Sequence, residues 1–93
     1  MDIRALTPAY AVAPQIAPAD LAAIRAAGFT RVICNRPDAE IPADLHAAVM
    51  ADAAAAEGLE FVINPVIGGA ITAQNVADQG AAIAGASGPV LAY

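Results

Sequence analysis

Residues 28–38, Gly28-Phe29-Thr30-Arg31-Val32-Ile33-Cys34-Asn35-Arg36-Pro37-Asp38, decide the fold. Phe29 to Cys34 is rich in β-branched and apolar side chains, the pattern of a buried strand. Gly28 just before it is a good stop for a preceding helix. Asn35-Arg36-Pro37-Asp38 just after it breaks the strand. A helix, a buried strand and a break within so few residues point to alternating α/β architecture.

The pattern repeats on both sides. Upstream, Tyr10 and Val12 alternate with small residues and form a short first strand, closed by Pro14. Ala17-Pro18-Ala19-Asp20 then opens a helix that runs to about Ala27. Proline suits a first turn, and Asp20 sits where the helix dipole favours negative charge. Leu21, Ile24 and Gly28 share one face of it. Downstream, Pro42 starts a helix expected over Ala43 to Glu57, with Leu45, Val49 and Ala53 at fourfold spacing and Gly58 as its stop. Leu59 to Ile63 is the third strand, ended by Asn64-Pro65. Ile67-Gly68-Gly69-Ala70 reads as a flexible loop. Thr72 suits the N-cap of a helix running to about Ala84, within which Gly80 costs roughly 1 kcal/mol relative to alanine. Ser87-Gly88-Pro89 turns the chain into a last strand, Val90 to Tyr93.

Strands alternating with helices imply a three-layer α/β fold, a mostly parallel sheet of about four strands with helices on its faces. Residues 1–93 read as the N-terminal part of a single domain. An apolar strand at the end of the sequence resembles the middle of such a fold, because nothing following it covers its second face. In open α/β sheets the site lies at the carboxyl ends of the strands.

Composition narrows the function. The hydrophobic fraction of 59% includes 27 alanines, which bury little area each, so the core is thin. Net charge is −5, and the four bases are Arg4, Arg25, Arg31 and Arg36, with no lysine and no basic run. Nucleic-acid binding through phosphate contacts is therefore not expected. No 18-residue apolar stretch and no signal-peptide start occur, so no membrane partner is expected. The single cysteine, Cys34, excludes an internal disulfide and fits a reducing compartment. The expectation is a cytoplasmic protein.

The residues also carry a family resemblance. Ile3 to Ile16, Asp20-Leu21, Ala27-Gly28-Phe29 and above all Val32-Ile33-Cys34-Asn35-Arg36-Pro37-Asp38 resemble the beta-lactamase-hydrolase-like proteins, whose phosphatase-like domain is akin to dual-specificity phosphatases. Pro65-Val66 with Gly69-Ala70-Ile71-Thr72 resembles that family's loop before its third helix. Gly88-Pro89-Val90-Leu91-Ala92-Tyr93 resembles the strand that leads into its catalytic loop. The resemblance implies a cysteine-dependent, phosphatase-like hydrolase, with a Cys-x(5)-Arg loop that would follow Tyr93 and lies outside this sequence. A thiolate at a helix N-terminus has a lowered pKa and attacks phosphorus or sulfur, while backbone N–H groups and an arginine hold the oxyanion. The family also includes sulfurtransferase-like members. Ala13 stands where relatives commonly carry serine, and Ala70 where some carry an aspartate suited to general-acid work.

Single residues have blander readings beside these. Cys34 lies inside a β-branched run and reads as a buried, inert thiol. Arg36, at the end of the second strand, could bind an anion or pair with Asp38 or Glu40. Those two acids could cap or solvate a loop. His46 falls off the apolar stripe and reads as solvent-facing, and one histidine makes no zinc site. Gly68-Gly69 could cradle a phosphate or simply loosen a loop. Tyr10 and Tyr93 read as partly buried strand residues.

The resulting expectation is a domain acting on a small phosphate- or sulfur-containing anion, inactive over residues 1–93 alone. Arg36, Asp38, Gly68 and Gly69 are expected to contact substrate, with no catalytic residue, metal ligand or cofactor within these residues. A rival reading is a non-catalytic module that binds a partner or a second copy through its open strand edge. A nucleotide-binding half-domain is disfavoured by the lack of a glycine-rich first turn.

Overall fold

The computed structural model describes residues 2–93. Five strands form one sheet: β1 (Arg4–Thr7), β2 (Tyr10–Val12), β3 (Arg31–Cys34), β4 (Glu60–Ile63) and β5 (Val90–Ala92). Three α-helices connect them: α1 (Leu21–Ala26), α2 (Ala47–Ala56) and α3 (Ala73–Ala84). The strand order is β1-β2-β5-β3-β4. All pairs are parallel except the β1–β2 hairpin, which carries an irregularity between Ala5 and Thr7.

The last strand is therefore central. Leu91 stands opposite Ala11 on one side and Val32 on the other. Crossovers between parallel strands are right-handed, so the chain covers one face while it moves outward from β2 through β3 to β4. It covers the opposite face when it returns through α3 to β5. Leu21, Ile24, Met50, Val32, Leu91 and Tyr93 pack together on the α1/α2 face. Ile33, Val90, Ala92 and Ala82 form a smaller cluster under α3. The thinner second cluster leaves Ile71, just before α3, and Val76, within it, more than 60% exposed, at 65% and 61%.

Several boundaries differ from the sequence expectations. The sheet has five strands rather than four, because Arg4–Thr7 pairs with Tyr10–Val12. The first helix begins as a 3-10 turn, Pro18–Asp20, whose Asp20 carboxylate accepts the Ala17 N–H at 2.8 Å. The second helix is broken. Ala43–Leu45 is a separate 3-10 turn, and His46 is extended with ψ 154° before α2 begins. Asp38 is the physical cause, since its Oδ1 accepts the Ala47 N–H at 2.9 Å and so supplies a cap from outside the local sequence. The buried stripe of α2 is Ala47, Met50 and Ala54, not Leu45, Val49 and Ala53. The third helix keeps its expected span, with Thr72 Oγ1 accepting the Asn75 N–H at 3.0 Å.

Arg31 locks the amino-terminal end of the sheet. Its Nη2 meets Glu60 Oε2 at 2.9 Å, and its Nη1 donates to the Ala82 carbonyl near the end of α3. That arginine is consumed by structure, at the end of the sheet opposite the strand termini described next.

Candidate functional site

The carboxyl ends of β2, β3, β4 and β5 meet at one edge. The ladder extends past the strands proper: Tyr93 N donates to the Ile33 carbonyl at 3.0 Å, and Asn35 N donates to the Tyr93 carbonyl at 2.7 Å. Asn64 N donates to Cys34 O at 2.9 Å, and Val66 N to Asn35 O at 2.8 Å. The segments that leave this edge are thus fixed by backbone bonds before they become loops.

A side-chain amide network ties the same edge to α3. Asn35 Nδ2 donates to the Asn64 carbonyl at 2.8 Å and to Gln79 Oε1 at 2.9 Å. Asn64 Nδ2 donates to Gln79 Oε1 at 3.0 Å. Gln79 Nε2 donates to Asn35 Oδ1 at 3.1 Å and to the Tyr10 hydroxyl at 3.2 Å. Asn75 Nδ2 bridges Asn64 Oδ1 and the Pro65 carbonyl. Asn64 is only 5% exposed, so a network with these partners answers the cost of burying an amide. Sequence reading missed these residues. The available signal was an asparagine directly after two apolar strands, at Cys34-Asn35 and Ile63-Asn64, and two amides four residues apart on one helix face, Asn75 and Gln79.

The expected substrate-contacting residues are partly brought together. Arg36 and Gly68 border one cavity of about 330 Å³ that also meets Asn35, Glu40, Val66 and Tyr93. Arg36 and Asp38 border a second cavity of about 330 Å³, with Ile63, Pro65 and Ile67 on its apolar side. Arg36 is exposed and forms no ion pair among the described residues. Asp38 is held at α2, where Oδ1 takes the Ala47 N–H and Oδ2 lies 3.9 Å from His46 Nδ1. Gly69 adopts φ +72° in a turn closed by Ala70 N to Ile67 O at 2.9 Å, a conformation that favours glycine at this turn position. Gly69 borders neither of these cavities.

The remaining singled-out residues are accounted for by packing. Cys34 is fully buried, with its thiol 3.5 Å from the Arg36 carbonyl. His46 is half-buried rather than solvent-facing, because its Nε2 lies 3.0 Å from the Ile41 carbonyl. Tyr10 is half-buried and joins the amide network, whereas Tyr93 is only 4% exposed. Burial pushes the Tyr93 phenol well above its ordinary pKa, and the adjacent Cys34 thiol and Asp38 carboxylate act in the same direction. No hydrogen-bond partner reaches its hydroxyl among the described residues.

A third cavity, about 390 Å³, lies between α3 and the sheet, walled by Ile71, Val76 and Ile83 and floored by Tyr10, Asn35 and Gln79. Its amides are already engaged with one another. Among the described residues no group of three His, Cys, Asp or Glu side chains is placed to hold a metal ion. No helix among them is long and apolar enough to cross a membrane.

Comparison with known proteins fits this geometry. The profile of the beta-lactamase hydrolase-like protein, phosphatase-like domain, matches residues 2–93. A crystal structure of a presumed phosphatase from Neisseria meningitidis Z2491 superposes with a TM-score of 0.88 at 32% identity, over 100% of this chain and 66% of that one. A crystal structure of a presumed phosphatase from Shewanella putrefaciens CN-32 gives a TM-score of 0.83 at 20% identity, over 97% of this chain and 56% of that one, a likeness of fold. The chain thus spans between about half and two thirds of the solved proteins it matches. No curated protein matches it. With the family pattern running from Asp2 to Tyr93 over a sheet that superposes this closely, the chain belongs to the beta-lactamase hydrolase-like proteins, through their phosphatase-like domain.

Proposed function

We propose that residues 1–93 form the frame of a cysteine-dependent phosphatase-like hydrolase, whose thiolate is carried by the turn that follows Tyr93. The observation that carries this is the position of Tyr93. It leaves the central strand at the carboxyl edge of the sheet and borders a cavity together with Arg36 and Gly68. A nucleophile leaving a central strand there would sit where open α/β sheets place ligands. Backbone N–H groups of the turn would receive the charge that develops on the phosphoryl oxygens. The substrate in this reading is a small phosphomonoester, and Gly68 is on the wall of its cavity.

The test is to express the gene with the codons that follow Tyr93 and to assay hydrolysis of an aryl phosphate. Thiol-dependent turnover by the longer protein, absent from residues 1–93 alone, is the expected result. Absence of a Cys-x(5)-Arg sequence in those codons, or thiol-dependent turnover by residues 1–93 themselves, would overturn it. Transfer of sulfur from thiosulfate with no phosphate release would assign the same thiolate to sulfurtransferase chemistry instead.

A further inference from the structure

We propose that Arg36 and the two cavities it divides form a binding site for an organic anion with an apolar body. The guanidinium would hold the anionic group on the Tyr93 side, and the apolar body would lie across Ile63, Pro65 and Ile67. This deepens the phosphatase reading by naming the class of substrate, and it rests on that reading only for the identity of the anion as a phosphoryl group.

The first support is the state of Arg36. Arginine is suited to anions because its planar fork presents paired N–H donors. Of the other arginines, Arg31 is committed to Glu60 and Ala82 at the far end of the sheet. Arg25 sits in the last turn of α1. Arg4, on the marginal strand β1, is 3.8 Å from Asp2. Among the described residues Arg36 is the one basic residue that borders these two cavities, and its charge is unmatched. Two acids follow closely in sequence, yet neither neutralises it. Asp38 is occupied by the Ala47 N–H and the neighbouring His46. Glu40 borders the Tyr93 cavity without pairing with Arg36, and its exposure leaves its opposing field screened by water.

The second support is the mounting. The backbone on either side of Arg36 is fixed: Asn35 is bonded through its N–H to Tyr93 and through its side chain to Asn64 and Gln79, and the Arg36 carbonyl accepts the Cys34 thiol. Pro37 has a fixed φ and restricts the backbone of Arg36 before it. A ligand therefore orders one side chain rather than a loop, which lowers the entropic cost of binding.

The third support is the asymmetry of the two cavities. The Tyr93 side offers Asn35, Gly68 and Tyr93. The other side offers Ile63 and Ile67, which are 53% and 61% exposed. Large apolar side chains left open beside an unmatched cation fit a ligand that is itself half anionic and half apolar.

The experiment titrates residues 1–93 with phenylphosphonate, which cannot be hydrolysed, and with inorganic phosphate, following amide and methyl NMR signals. Phenylphosphonate is expected to bind at least tenfold more tightly than phosphate and to shift Arg36, Gly68, Ile63 and Ile67 together. Arg36→Gln should weaken both ligands at least tenfold. Ile67→Ser should bring phenylphosphonate close to phosphate while leaving phosphate unchanged. Equal affinities, shifts centred elsewhere, or binding indifferent to Arg36→Gln in a variant with an unaltered melt would overturn the proposal. Binding as expected together with no turnover by the longer protein would sink the phosphatase reading and leave this site standing. Turnover with a KM untouched by Arg36→Gln would sink this site alone.

Discussion

Asn64 and Asn75 are joined twice: Asn64 Nδ2 donates to the Asn75 carbonyl at 3.0 Å, and Asn75 Nδ2 donates back to Asn64 Oδ1 at 2.8 Å. This reciprocal pair pins the start of α3 to the end of β4. It fixes both ends of the intervening loop, in which Gly68 borders the Tyr93 cavity.

Replacing Asn64 tests how much that pin matters. Asn64→Ala removes one acceptor and two donors from a buried position and leaves Asn75 O and Gln79 Oε1 short of partners. The expected loss is about 2 kcal/mol, the range for stranding buried polar groups. Urea unfolding monitored by circular dichroism measures it. A loss within a few tenths of a kcal/mol would show that the network is not what holds α3 to the sheet.

Gly88 is a second site with a defined outcome. A Cβ there would lie 2.7 Å from Thr30 Cγ2, and Thr30 itself is tied to the Pro89 carbonyl through its N–H at 2.9 Å. A branched side chain anchored this way cannot swing aside cheaply. Gly88→Ala should cost about 1–3 kcal/mol, as overpacking does. Thr30→Ser in the same chain should recover much of it, because the clashing methyl is gone. A double-mutant cycle of melts checks this, and simple additivity would rule out the clash as the cause.

Tyr93 governs the alkaline limit of stability. Its phenol is pushed above its ordinary value by burial first, then by Cys34 and Asp38. The folded state therefore holds this proton more tightly than the unfolded chain, whose tyrosine titrates near about pH 10. The stabilising contribution is complete below that pH and is lost as pH rises above it, since the unfolded state then binds fewer protons. Tyr93→Phe should flatten the fall of the melting temperature between about pH 9 and 11. At neutral pH the variant should be as stable as the parent or more so, because the hydroxyl it removes is buried without a hydrogen-bond partner among the described residues. An unchanged alkaline slope would show that another group controls it.

Much of this architecture is legible in the sequence. Arg31–Cys34 and Glu60–Ile63 lie inside runs rich in β-branched residues, Val90–Ala92 in an apolar run, and Thr72 announces α3 by its capping chemistry. What escaped was whatever depends on distant partners. Arg4–Thr7 is exposed along its whole length and becomes a strand only because Tyr10–Val12 is there to pair with it. The break at His46 is set by the carboxylate of Asp38, nine residues before the Ala47 N–H it accepts, which no helix periodicity encodes. Asn35 and Asn64 each read locally as a strand terminator. They become one cluster with Gln79 only after the crossover through α3 carries it onto their face of the sheet. Arg36 was legible as a cation at the carboxyl edge of the sheet, whereas its lack of an ion pair among the described residues was not, because Asp38 and Glu40 are near enough in sequence to have supplied one.

Gly80 offers the converse test, a gain. It lies inside α3, and an added Cβ would meet no heavy atom within 4 Å. Glycine within a helix loses more backbone entropy on folding than alanine, so Gly80→Ala should stabilise by up to about 1 kcal/mol. For a domain of this size, that corresponds to a rise in melting temperature of roughly 4–8 °C. The position borders the open groove between α3 and the sheet, so the gain also reports whether that groove is free. If residues 1–93 gain stability on substitution while the longer protein loses it, something beyond these residues packs against Gly80. If residues 1–93 themselves lose stability, α3 does not lie on the sheet as described.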